Sequence, residues 1–168
     1  MPLTAEDVSQ TVLTEAGNIL DRCVTKIAHC LDQLSEEQVW WRPADSMNSI
    51  GNLILHLCGN MRQWMVSGIG GAVDIRQRPA EFAERGPIPK AELLARLKKV
   101  VAETKEAFAR TNSAEMARDR VIQGDTVTGW RAIFQTIPHF NGHTQEIICF
   151  TRMQLGDAYK FHWTPATP

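Results

Sequence analysis

The chain has 168 residues, enough for one domain with a substantial buried core. Hydrophobic residues make up 43% and charged residues 22%, an ordinary globular composition, and a net charge of −1 without a Lys/Arg cluster gives no electrostatic footprint for nucleic acid. No apolar run approaches the ~20 residues of a membrane span, and the opening Met1-Pro2-Leu3-Thr4-Ala5-Glu6-Asp7 lacks the basic and apolar regions of a signal peptide, which points to the cytoplasm.

Four long helical patterns dominate a single domain over 1–168. The first starts near Thr4, where Thr4-Ala5-Glu6-Asp7 reads as a capping box with Asp in place of Glu, and runs to Leu34 on the apolar series Val8, Val12, Ile19, Cys23, Ile27, Cys30 and Leu31. Ser35-Glu36-Glu37-Gln38 restarts a short helix ending at Trp40-Trp41-Arg42-Pro43, because Pro43 disfavours α geometry at Arg42. The second long helix is expected from about Asn48 to Val66, capped by Ser46 or Asn48. It has an apolar stripe from Ile50 to Met65 and a polar one of Ser49, Asn52, His56, Asn60, Gln63 and Ser67. Residues 68–88 form a long connection rich in Gly and Pro, whose glycines fit no dinucleotide fingerprint.

The third helix is expected from Pro89 or Lys90 to Thr111, burying Leu93, Leu94, Leu97, Val100, Val101 and Phe108. Alternation around Gly124-Asp125 allows a small hairpin or an extended connection. The fourth helix runs from Gly129 to Leu155 and stops at Gly156, with Pro138 set to kink it or loosen a turn. The tail from Tyr159 to Trp163 is aromatic enough to dock on the body. Cys23, Cys30, Cys58 and Cys149 form no CxxC pair and read as structural thiols. The five tryptophans read as packing in or over the core, with Trp64 or Trp41 as candidates for a pocket mouth. The sum is an all-α four-helix bundle, a fold whose core commonly holds metal sites built from facing helices.

His139 and His143 stand four residues apart on the last helix, about 40° from one another around its axis, and so share a face with Glu146. His56 on the second long helix is a third imidazole for the same ion. Three protein nitrogens leave a coordination position for water or substrate, as in catalytic zinc sites. Glu146 has three candidate roles: metal ligand, partner of an imidazole, or catalytic base. Asn60 and Gln63 are candidate substrate or cofactor contacts. Cys58, two residues from His56, points about 200° away from it and suits the site poorly. His29 and His162 read as structural or surface residues. No Gly-x-Ser-x-Gly elbow, Walker loop or HExxH is present.

The order and spacing of Trp41-Arg42-Pro43, Asn48-Ser49-Ile50, Leu55-His56-Leu57 and His139-Phe140-Asn141-Gly142-His143 resemble the DinB/YfiT-like superfamily over nearly the whole chain. The resemblance implies a four-helix bundle of up-down-down-up connectivity, often a homodimer. It also implies a divalent ion, zinc, nickel or manganese, held by His56, His139 and His143. Members with known activity include thiol-dependent S-transferases and isomerases, in which the ion activates a low-molecular-weight thiol. Where Glu146 stands, relatives often carry Gln, so this chain departs from the pattern beside its ligands. The expected function is a metal-dependent enzyme in which a bound thiol or water attacks a small-molecule substrate, with neither nucleic acid nor membrane as partner. The alternatives are a non-catalytic metal- or ligand-binding stress-response bundle and, more weakly, a helical interaction module without metal.

Overall fold

The computed structural model describes residues 2–163. Met1, which opens the N-terminal segment read above, lies outside the described residues, as do 164–168 at the end of the expected domain. Four long helices carry the fold: α1 (Ala5–Gln33), α3 (Ile50–Met61), α5 (Lys90–Ala109) and α7 (Gly129–Leu155). Short helices lie between them: α2 (Glu36–Trp40), α4 (Arg78–Ala83) and α6 (Ser113–Ala117). An antiparallel hairpin pairs β1 (Asp119–Ile122) with β2 (Asp125–Thr128). Its turn, Gln123-Gly124, takes positive φ at both residues, as two-residue hairpin loops demand.

Helix α1 packs on α5 and α7, and α3 packs on the same two, so the long helices form a closed ring of neighbours. Inside it lies one core that includes Leu20, Ile27, Ile54, Leu57, Leu97 and Phe140. The polar residues at the helix starts do local work. Thr4 with Asp7, Ser35 with Gln38 and Ser49 with Asn52 form capping boxes on α1, α2 and α3.

Several expectations need correction. Ser49, not Ser46 or Asn48, caps α3, and Ser49 and Asn52 are buried rather than forming a wet stripe. Asn52 Oδ1 accepts from Arg42 at 2.6 Å while its Nδ2 donates to the carbonyls of Glu81 and Glu84, which ties the helix start to the 68–88 connection. The α geometry ends at Met61, and Arg62–Ser67 is a π-helical segment closed by Gly68 N–H donating to Gln63 O. Helix α5 ends at Ala109, short of Thr111. The connection is not plain loop, because α4 sits in it. Trp41 and Trp163 are exposed rather than packed, whereas Trp64 is buried.

Helix α7 runs unbroken through Pro138. The tail docks through Lys160, whose carbonyl receives His29 Nε2 at 2.6 Å and whose N–H donates to Gln33 Oε1 at 2.7 Å. Among the described residues, no helix is long and apolar enough to cross a membrane.

Candidate metal centre

His56 comes from the middle of α3, and His139 and His143 from successive turns of α7. The packing of α3 on α7 brings the three imidazoles together, with one ligand nitrogen from each within 4.8 Å of the others. Nε2 of His56 and Nε2 of His139 are 3.0 Å apart. Nitrogens around a tetrahedral zinc are separated by ~3.3 Å, so this pair already stands at coordination spacing. The rings meet edge to face, at 84° to 85°.

Two carboxylates stand behind the imidazoles. Nδ1 of His143 lies 2.8 Å from Glu146 Oε2, and Nδ1 of His56 lies 3.1 Å from Glu81 Oε2. A guanidinium only donates, so the 3.2 Å approach of Arg76 Nη2 to the same His56 nitrogen is proximity once Nδ1 carries its proton toward Glu81. Each carboxylate thereby fixes a tautomer in which Nε2 keeps its lone pair for an ion. Glu81 is itself fixed. Arg76 donates Nε to Oε1 at 2.7 Å and Nη2 to Oε2 at 2.9 Å, and both side chains are nearly buried. Burial pushes the Glu81 carboxyl up, but the hydrogen bonds from Arg76 and His56 outweigh it and hold the group below the usual range.

His139 is pushed down to about 4, first by burial and then by its neighbours His143, His56 and Arg76. It is therefore neutral at physiological pH and available as a ligand. The unfolded chain takes up this proton near pH 6.5, the folded metal-free protein only near 4. Protons thus bind the unfolded state preferentially within that window. The melting temperature of the metal-free protein is expected to fall as pH drops from 7 to 5, and His139→Gln is expected to flatten that slope in thermal scans monitored by circular dichroism.

A cavity of about 330 Å³ opens beside the centre, lined by His56, Asn60, Trp64, Arg78, Thr136 and His139 among others. Asn60 thus shares a wall with two of the histidines. Gln63 has its amide engaged by the protein: Nε2 donates to Asp74 at 2.7 Å, and Oε1 accepts from Arg76 at 2.9 Å and from Gln123. Cys58 stands in a different cavity, with burial pushing its thiol up to about 12, and takes no part in the cluster.

Sequence reasoning missed Glu81, Arg76 and Phe82. Phe82 lays its ring 5.0 Å from that of His56. All three come from the connection before α5, where no hydrophobic period marks them. A bidentate ion pair of this kind carries little local signal, since its partners are read only after the chain has folded.

Residues 7–166 match the family model described as a protein of unknown function, DUF1572. Among solved structures, a conserved protein from Enterococcus faecalis superposes with a TM-score of 0.70 at 17% identity, over 87% of this chain and 98% of that one. A DinB-like protein from Bacillus cereus gives 0.67 at 15% identity, over 89% and 95%, and one from Bacillus subtilis 0.61 at 13%, over 88% and 99%. At these identities the likeness is one of fold. No curated protein matches the chain significantly. With a helical bundle, the matching family model and three converging histidines in view, the chain shares the fold of the DinB-like proteins and belongs to the DUF1572 family.

Proposed function

We propose that the protein is a divalent-metal-dependent enzyme that joins a low-molecular-weight thiol, or water, to a small electrophilic molecule. The observation that carries this reading is the convergence of His56, His139 and His143, two of them backed by carboxylates on Nδ1. The donor set fits the ion: three neutral imidazoles suit zinc, nickel or manganese and leave positions open for exchange. An ion bound there supplies Lewis acidity, bringing the pKa of a thiol or water in contact with it toward neutrality.

The chain's own residues do the rest. Glu81 and Glu146 orient His56 and His143. Glu146 Oε1 has no hydrogen-bond partner among the described residues, and the side chain is 37% exposed. From behind His143 it is a solvent-facing acceptor, to which we assign, by way of water, the proton released by the incoming thiol or water. Trp64 and Phe82 supply the apolar walls that limit water near the centre. Thiol transfer is favoured over hydrolysis by the superfamily resemblance.

Metal content by mass spectrometry tests the site, on untagged protein purified without chelator. About one equivalent per chain is expected in the native protein, and a loss of at least 100-fold in affinity in His139→Ala, with helical content retained. A His56/His139/His143 triple alanine variant that kept one equivalent would sink the assignment. Turnover of electrophiles with added thiols then tests the chemistry.

A further inference from the structure

Two oxygens of residues bordering the 330 Å³ cavity have no hydrogen-bond partner. Oγ1 of Thr136 and Oδ1 of Asn60 are both buried and unbonded. Thr136 is only 1% exposed. Other threonines of α7 behave differently: Thr144 and Thr151 donate to the carbonyl four residues back, at 2.9 and 2.8 Å. That bond is the ordinary local option for a helical threonine, and Thr136 does not take it. Each orphan stands one turn from a metal-site histidine, Asn60 four residues after His56 and Thr136 three before His139.

The charge at this wall is one-sided. Arg76 and Arg78 line the cavity and no carboxylate does. Arg76 is neutralised by Glu81. Arg78 makes no ion pair among the described residues. Its guanidinium rests 5.0 Å from the centre of the Phe82 ring, which in turn leans on His56. Residues carrying an unneutralised cation, an acceptor in need of a donor and a free hydroxyl therefore line one space next to the imidazoles.

We propose that this cavity binds a small hydroxycarboxylate. Arg78 pairs with its carboxylate, Asn60 Oδ1 accepts from its hydroxyl, and the Thr136 hydroxyl donates to a ligand oxygen. The substrate class rests on the metal-enzyme reading above for its place beside the ion. The pairing of groups does not need the ion.

Lactate is the probe, with lactamide as its uncharged counterpart and propionate as its counterpart without the hydroxyl. Calorimetric titration of zinc-loaded protein is expected to show lactate binding at least ~10-fold tighter than either. Arg78→Gln is expected to weaken lactate ~10-fold and leave lactamide unchanged. Thr136→Val is expected to weaken lactate ~5-fold while raising the melting temperature by ~2 °C or more, because a buried orphan hydroxyl has become a methyl.

A merely structural hydroxyl would not lose ligand as it gained stability. Lactate binding that is absent, or equal in the native protein and both variants, overturns the proposal. Zinc stoichiometry is measured on the same samples. Should no zinc be taken up, the titration is run on metal-free protein. Arg78-dependent lactate binding there would uphold the cavity and defeat the metal reading, whereas zinc uptake without lactate binding would do the reverse.

Discussion

Glu81→Ala is expected to weaken metal binding by ~10–100-fold although Glu81 is not among the histidine ligands. The same change is expected to cost ~3–5 kcal/mol of stability, since it strands the Arg76 guanidinium, 2% exposed, without its counter-charge. The metal effect comes from His56. Without an acceptor at Nδ1 the ring is free to rotate and to exchange tautomers, so the lone pair on Nε2 is no longer held toward the ion. Competition with a chelator of known affinity measures the first effect, and urea unfolding of the metal-free protein the second. Glu81→Gln separates them. Its amide oxygen still accepts from His56, so metal affinity should recover in part, while the lost charge keeps most of the stability deficit. Equal metal affinity in the native protein and Glu81→Ala would show that His56 needs no support.

Gly59→Ala is expected to reproduce that weakened metal binding without touching either charge. A β-carbon at residue 59 would stand 1.9 Å from Glu81 Oε1, 2.7 Å from its carboxyl carbon and 3.1 Å from Arg76 Nε. The ion pair lies against the bare backbone of α3, and a single methyl evicts it. The sign of the stability change decides the matter. In an unencumbered helix, Ala for Gly gains up to ~1 kcal/mol. Here a loss of ~1–3 kcal/mol is expected from the overlap, together with a drop in metal affinity of ~10-fold. A more stable variant with unaltered metal binding would mean that the pair relocates freely and that its contact with His56 is incidental.

Two of the three clustered histidines were legible because their signal is local. His139 and His143 announce themselves by a four-residue spacing, and α7 keeps the boundaries its composition implies, from Gly129 to Leu155. The Glu146 contact is legible for the same reason, being three residues from His143. Glu81 reaches His56 from 25 residues away, through a segment whose Gly and Pro content gives no hint of a helix. The cap at Ser49 was misplaced because its partner is Asn52, whereas the familiar pattern has Glu or Gln there. The π-helical turn was invisible because it adds a residue without disturbing the run of apolar side chains that a period of 3.6 tracks.

That added residue bears on how chains of this family can differ in length. A π segment is, in effect, one amino acid accommodated inside a helix without a loop to hold it. Removing one residue of Arg62–Ser67 would let the turn relax to α geometry, so that the loss is taken up within the segment itself. His56 precedes the segment, and His139 and His143 stand on another helix. A single-codon gain or loss here therefore leaves the three histidines at their places on α3 and α7, and reaches them only through the downstream Arg76–Glu81 pair that holds His56. A one-residue gap in an alignment of relatives is expected at this point of the second long helix.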